Sequence, residues 1–300
     1  MNEFRGIYPA LITPMTREGD FNENAFRRLM EYNIESGAHG FWVAGGAGES
    51  VLLEDEENAR IAGSAANQAA GRAKIIMHVG AVTTVRAARM AENAAEAGVD
   101  AVCAVPPFFY RPGPDEIVEH YRVVGAAADL PLFVYNLPGA TGVEITLELA
   151  EKIQEHVPQL AGLKHSAPAF VNTRHFARMG LSCLIGSAAL LLPALTIGAS
   201  GCVDGPLALS PDVWVNIWTA YHRGDIKSAE AEQKRAADLY TIFNRAGYIA
   251  SMKALISEKL GIDCGDPRPP QRPLTSDERT FVIRTATSLG MMGIKSQNGD

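Results

Sequence analysis

One lysine in the sequence stands where it could act as a nucleophile. Lys164 closes a short apolar run, residues 160–164, whereas the other lysines lie in helical stretches, in the tail or, for Lys74, at the start of a run. A lysine at the buried end of a strand is withdrawn from water, which disfavours its ammonium form and supplies the neutral amine that attacks a carbonyl. The alternative is a structural lysine that snorkels to the rim or pairs with a carboxylate.

A tyrosine ends the apolar run that precedes the run of Lys164. Tyr135 lies in the segment VYNLPG. A phenol beside a reacting amine can carry protons to and from a bound carbonyl compound. The same position also suits a core tyrosine whose hydroxyl finds a backbone partner. The residues alone leave both interpretations open.

A glycine-rich segment, GGAGES at residues 45–50, follows the second apolar run. Its glycines allow backbone N–H groups to converge on an anion. The segment lacks the lysine and the spacing of a P-loop, and it does not have the spacing G-x-G-x-x-G. A substrate carboxylate therefore suits it better than a polyphosphate, although a tight turn that needs glycines is an equally good interpretation.

Other chemistries have little support in the sequence. The seven histidines show no metal-ligand spacing, and His165 should point away from its neighbour Lys164 in a strand. The four cysteines form no C-x-x-C pair, and no G-x-S-x-G elbow is present. We therefore expect no metal and no cofactor.

Short apolar runs alternate with longer amphipathic stretches along the chain. Continuous apolar runs favour parallel strands that are buried on both faces. Eight such units in a row predict the α/β class and a closed (β/α)8 TIM barrel. The predicted strands are residues 7–13, 40–44, 74–79, 100–105, 131–136, 160–164, 182–186 and 201–204.

The barrel accounts for only part of the chain. We predict a catalytic barrel domain over residues 1–223 and a C-terminal helical extension over 224–300, with helices in 225–260 that are split near Gly247 and a last helix over 275–289. Barrel active sites lie at the carboxyl ends of the strands. Lys164, Tyr135 and the segment 45–50 should therefore meet at one mouth.

Composition narrows the possible partners. The 300 residues carry a formal net charge of −7 and no long basic run, which argues against nucleic acid and anionic membranes as partners. No apolar run reaches the ~20 residues that span a bilayer, and the first residues lack the layout of a signal peptide. We expect a cytoplasmic protein with reduced thiols.

Three motifs in order resemble those of the dihydrodipicolinate synthase/N-acetylneuraminate lyase superfamily. They are GGAGES, then YNLPGATG, then GLK at Gly162 to Lys164, and the likeness extends from YPALITP to DPRPPQRPL. The resemblance implies a class I aldolase on a TIM barrel, a 2-keto acid substrate and a homotetramer. It implies a Schiff base on Lys164 and proton transfer by Tyr135. The residues that it implies for substrate binding are Gly46, Ala47, Val203, Phe109 and Ala140.

The chain departs from the family pattern at several of these positions. Gly46 and Ala47 stand where the family usually has Thr or Ser, so a relay hydroxyl is missing. Phe109, followed by Tyr110, stands where the synthases place a tyrosine that serves the neighbouring subunit. Ala140 replaces the arginine that holds a second carboxylate in the synthases. We expect an apolar mouth that also includes Phe108 and, where the sialic-acid lyases have an Asp-Glu pair, Ala188 and Ala189.

These observations lead to one main hypothesis and several alternatives. The main one is reversible aldol cleavage of a 2-keto-3-deoxy-type acid to pyruvate and an aldehyde through a lysine Schiff base. The alternatives are a dehydratase or hydratase-aldolase, dihydrodipicolinate synthase proper, and a catalytically impaired family member that acts as a binding protein. Water, Tyr110 or a substrate hydroxyl are the candidates to replace the missing relay hydroxyl.

Overall fold

The computed structural model describes residues 3–293, and within that range eight strands form one parallel sheet. Each strand pairs with its sequence neighbour from β2 to β8, and β8 pairs with β1. The predicted (β/α)8 barrel is confirmed. The strands are β1 (Gly6–Pro9), β2 (Gly40–Val43), β3 (Lys74–His78), β4 (Ala101–Ala104), β5 (Leu132–Asn136), β6 (Leu160–His165), β7 (Ser182–Ile185) and β8 (Gly201–Asp204).

The barrel closes where the chain leaves β1. The Ala10 N–H donates to the Asp204 carbonyl at 3.0 Å, and the next N–H, of Leu11, donates to the Trp42 carbonyl at 3.0 Å. Consecutive residues thus bond to β8 on one side and to β2 on the other. For this reason the first strand is shorter than the predicted run 7–13: the residues after Pro9 form the seam of the barrel.

Helices follow the strands in the predicted alternation. Asn22 caps the first helix by accepting from the Ala25 N–H at 3.2 Å, and Thr146 caps another by accepting from the Leu149 N–H at 3.2 Å. The α-helices within the described residues 3–293 are α1 (Glu23–Glu35), α2 (Asp55–Ala69), α3 (Thr84–Glu96), α4 (Pro114–Ala128), α5 (Pro138–Thr141), α6 (Leu147–His156), α7 (Asn172–Arg178), α8 (Leu191–Thr196), α9 (Pro211–His222), α10 (Ile226–Asp238), α11 (Tyr248–Leu260) and α12 (Ser276–Ser288).

Helices continue beyond the eighth barrel unit, as predicted. The two helices expected over 225–260 are α10 and α11, and Gly247 immediately precedes α11. The last helix, α12, begins after Thr275, whose hydroxyl accepts from the Glu278 N–H. Residues 294–300 of the predicted extension lie outside the described residues.

Buried side chains fill the inside of the barrel as well as the layer between strands and helices. We call the inner group the interior cluster, and it is strongly aromatic. The Trp42 and Tyr135 rings pack edge to face, with centroids 5.5 Å apart. The cluster fills the barrel interior next to the carboxyl ends of the strands. Its buried members are Phe4, Tyr8, Ala10, Trp42, Ala47, Ile76, Ala101, Cys103, Val105, Phe133, Tyr135, Leu184 and Val203.

Candidate active site

The sheet register places Lys164 and Tyr135 side by side. Tyr135 of β5 is paired with Lys164 of β6, and alternation along the strands turns both side chains into the barrel. The Lys164 Nζ lies 4.4 Å from the centroid of the Tyr135 ring and 5.3 Å from that of Trp42. The two residues that the sequence selected are therefore brought together at the carboxyl ends of their strands.

Lys164 is buried among groups whose pKa values are shifted by burial. The Lys164 side chain is 4% exposed, and no acidic side chain among residues 3–293 forms an ion pair with it. Burial, and next the charge of Lys164, lower the pKa of His78 to about 4. Burial also raises the pKa of the Cys103 thiol.

The neighbours of the pair in sequence point the other way. The His165 ring bonds to the Ala169 carbonyl at 3.0 Å and lies 3.4 Å from the Asn136 amide. That amide also donates to the Ile145 carbonyl at 3.1 Å and accepts from the Ile145 N–H at 3.0 Å. His165 is thus on the outer face of the sheet, as predicted, where it helps to fix the loop after β5.

The segment 45–50 folds over the Tyr135 hydroxyl. Gly46 and Ala47 open a short 3-10 turn, and the first N–H groups of such a turn have no acceptor inside it. A Cβ on Gly46 would lie 3.8 Å from the Tyr135 oxygen, and Gly46 itself is exposed. The geometry therefore allows an anion to bind at these N–H groups beside the phenol.

A buried ion pair holds this turn from behind. Glu49 has a positive φ of 64°, and its carboxylate lies 2.6 Å from the Nζ of Lys253 on α11. Both side chains are almost fully buried, at 0% and 1% exposure. The Arg268 N–H donates to the same carboxylate at 2.6 Å, and Lys253 also donates to the Asp266 carbonyl at 2.9 Å. The helical extension thereby fixes the conformation of the turn.

A second polar group lies at the end of β8. The Asp204 carboxylate accepts from the Gly205 N–H at 2.8 Å, from the Ala188 N–H at 2.9 Å and from the Tyr240 hydroxyl. Burial, and then the Asp204 charge, raise the pKa values of the Tyr240 and Tyr248 phenols. The two phenols therefore stay protonated and act as donors.

Sequence reasoning missed these contributions from the extension. From the sequence, Lys253 is one more lysine within a helical stretch, and neither tyrosine carries a chemical signal. There is one local signal: Lys253 lies within the mostly apolar stretch YIASMKALI. Its burial follows from that pattern, but the identity of its partner does not.

The remaining predicted residues divide into two groups. Ala47 and Val203 lie in the interior cluster next to the Lys164–Tyr135 pair. Phe109, which is 81% exposed and has a φ of +80°, and Ala140 lie on the outside of the single chain. Ala188, expected to face the mouth, is fully buried in the core between the strands and the helices, and its N–H donates to Asp204.

Two features of the described residues bear on other chemistries. Across residues 3–293, no helix is long and apolar enough to cross a membrane. In the same part of the chain, no group of three or more His, Cys, Asp or Glu residues is arranged to hold a metal ion.

Comparison with known proteins gives a consistent result. Residues 3–289 match the sequence profile of the Dihydrodipicolinate synthetase family. The chain belongs to this family. An uncharacterized DapA-like lyase of Halobacterium salinarum is 32% identical over 289 residues, which cover 96% of this chain and 94% of that protein. The N-acetylneuraminate lyase of Clostridium perfringens is 29% identical over 276 residues, covering 91% of this chain and 95% of the lyase.

Solved structures agree with the family assignment. Dihydrodipicolinate synthase from Aquifex aeolicus superimposes with a TM-score of 0.90 at 26% identity, covering 96% of this chain and 99% of that one. The Ruminococcus gnavus sialic acid aldolase, here its catalytic lysine mutant, has the same fold, with a TM-score of 0.92 at 22% identity and 97% coverage of both chains. At the level of the family, the chain is a lyase of the class I aldolase type that forms a Schiff base with pyruvate or a related 2-keto acid.

Proposed function

We propose that the chain catalyses reversible aldol cleavage of a 2-keto-3-deoxy-type acid to pyruvate and an aldehyde. Lys164 forms the Schiff base, and Tyr135 is the phenol that transfers protons. The observation that carries this proposal is the register pair Tyr135–Lys164, with the buried amine 4.4 Å from the ring centroid. Gly46 and Ala47 bind the substrate carboxylate through their N–H groups, and Val203 forms part of the wall.

In this mechanism one phenol, that of Tyr135, can carry every proton that is transferred. The Lys164 amine adds to the C2 carbonyl, while Tyr135 gives its proton to the oxygen and regains one from the nitrogen. Tyr135 then protonates the departing hydroxyl, and loss of water leaves an iminium and a phenolate. The phenolate takes the C4 hydroxyl proton as the C3–C4 bond breaks, the iminium accepts the electron pair, and the phenol returns that proton to C3. Hydrolysis releases pyruvate.

The outer part of the site bears on the aldehyde half of the substrate. Ala140 has no cationic group, so it does not bind a second carboxylate as an arginine would. A substrate with an aldehyde half that is weakly charged and partly apolar therefore fits better than the dicarboxylic chemistry of a dihydrodipicolinate synthase. Phe109 contributes to this site only from a neighbouring copy, because it faces outward on its own chain.

The same proposal extends to assembly, domain division and location. We propose a homotetramer in the cytoplasm, with residues 1–223 as the catalytic barrel and 224–300 as the helical extension. Several large apolar side chains on the loops and helix starts after β2, β3 and β4 are exposed, which supports self-association. All four cysteines are free and buried, as suits a reducing compartment. The exposed apolar residues are Val51, Val82, Val85, Phe109 and Tyr110.

Reductive trapping tests the central step. Pyruvate with borohydride should leave one reduced adduct per chain on Lys164, found by mass spectrometry of the intact protein and its peptides. Lys164→Ala should take up no label, whereas Lys152→Ala, which changes an exposed surface lysine, should label fully. Labelling of Lys164→Ala, or an unlabelled wild type, would contradict the proposal.

A further inference from the structure

The turn that faces the substrate carboxylate has no side-chain hydroxyl of its own, but a phenol from the extension lies beside it. Tyr248, the first residue of α11, packs against the interior cluster that contains Ala47, Tyr135 and Val203. A Cβ on Gly205 would collide with the Tyr248 oxygen and would lie 3.5 Å from the Ala47 Cβ. The hydroxyl of Tyr248 is therefore located between the end of β8 and the turn.

The chemical state of this phenol makes it a hydrogen-bond donor. Its pKa is raised first by burial and then by the charge of Asp204. Its immediate partners are the Asp204 side chain and the Gly205 backbone. Donation to a carboxylate is a charge-assisted hydrogen bond, one of the stronger contacts that a neutral side chain makes with an anion.

Asp204 does not depend on this donor. Its carboxylate receives the Gly205 N–H, the Ala188 N–H and the Tyr240 hydroxyl. When the Tyr248 O–H turns toward another acceptor, Asp204 keeps three donors. The movement therefore leaves no buried carboxylate oxygen without a partner, which would otherwise be costly.

We propose that Tyr248 binds the carboxylate of the keto acid. Its O–H donates to a carboxylate oxygen held by the N–H groups of Gly46 and Ala47, and it supplies the hydroxyl that these two residues lack. The inference rests on the proposed function, because that function supplies the carboxylate. It makes the helical extension part of the binding site and not only its support.

Calorimetric titration with pyruvate tests this role. Tyr248→Phe should weaken binding about tenfold or more, the usual effect of losing a hydrogen bond to a charged group. At saturating pyruvate, the rate of C3 hydrogen–deuterium exchange should stay within about threefold of wild type, because Lys164 and Tyr135 are untouched. The matched control is Tyr240→Phe. Tyr240 also donates to Asp204, but its ring packs in the core between the strands and the helices. The pyruvate dissociation constant of this variant should stay within about threefold of wild type.

The outcomes separate this inference from the proposed function. A folded Tyr248→Phe variant with wild-type affinity overturns it, and so does an equal loss in Tyr240→Phe, which would assign the effect to Asp204. A loss of exchange rate at saturation without a loss of affinity also overturns it. Adding Ala47→Ser to Tyr248→Phe should restore most of the affinity. If the wild type binds pyruvate but forms no borohydride adduct, the Schiff base of the proposed function is refuted. The pyruvate affinities of wild type and Tyr248→Phe can still be compared, so the role of Tyr248 is tested separately.

Discussion

Tyr135 differs from the other aromatic residues of the interior cluster because its oxygen reaches the mouth. Its ring packs against both the Lys164 amine and Trp42, and its hydroxyl lies close to Gly46. The ring is thus fixed by packing while the oxygen remains available to a ligand. This division explains how one side chain serves both the barrel core and proton transfer.

Replacing Tyr135 by Phe should separate proton transfer from binding. We expect the rate of pyruvate C3 exchange to fall by about 10²–10⁴-fold, the usual contribution of general acid–base assistance, with little change in pyruvate affinity. Proton NMR in deuterated buffer measures the exchange, and calorimetry measures the affinity. Tyr121→Phe, which alters a buried tyrosine that bonds to the Ala104 carbonyl, is the control. Exchange at the wild-type rate would remove Tyr135 from the mechanism.

Part of this site could be predicted from the sequence because part of it is local. Lys164 and Tyr135 each end an apolar run, and strand alternation together with the barrel rule is enough to place them together. Tyr248 and Lys253 reach the site from α11, about 100 residues further along the chain. Their contacts depend on how the extension packs across the barrel, which no local pattern encodes. The placement of Phe109 and Ala140 came from the family resemblance, and in one chain both are exposed.

At the scale of elements, the main connection is between α11 and the turn after β2. The Lys253–Glu49 pair is buried, so each charge depends on the other for compensation. Burial lowers the pKa of Lys253, in opposition to the effect of Glu49. The positive φ of Glu49 shows that the backbone is held in a conformation that a non-glycine residue seldom adopts.

Removing one partner of this pair should destabilise the protein and loosen the turn. Lys253→Met leaves a buried, uncompensated carboxylate and should cost about 3–5 kcal/mol of unfolding free energy. Pyruvate affinity should fall as well. Urea unfolding measures the stability, and calorimetry measures the affinity. Lys152→Met, which removes an exposed surface pair with Asp115, should change neither quantity noticeably.

The double change Glu49→Gln with Lys253→Met distinguishes charge from packing. It removes both buried charges and should recover a substantial part of the lost stability. If Lys253→Met unfolded at the same urea concentration as wild type, the pair would not be holding the turn.

At the scale of the whole molecule, the exposed apolar residues near the mouth are the main feature that a single chain does not explain. Phe109 and Tyr110 stack edge to face, with centroids 4.9 Å apart, and are 81% and 76% exposed. Val85, at 78%, lies on the neighbouring helix α3. Large exposed apolar side chains of this kind are typical of an interface between subunits.

Phe109→Asp should therefore shift the assembly toward smaller species. We expect the wild type to sediment as four copies of the 32.2 kDa chain, and the variant as dimers or monomers. Val171→Asp provides the control, because Val171 is 64% exposed but lies after β6, away from the loops after β2, β3 and β4. A monomeric wild type, measured by analytical ultracentrifugation, would contradict the assembly proposal.

In the paired dipeptides Tyr135-Asn136 and Lys164-His165, the first residue faces the barrel interior and the second faces the outer side of the sheet. The inner members face the reacting carbonyl, and the outer members bond to each other and to the next loop. A one-residue insertion or deletion in either strand would exchange these faces, placing an amide or an imidazole in the pocket and a lysine or a phenol against the helices. Substitutions can retune this barrel, but these two strands do not tolerate a change of length.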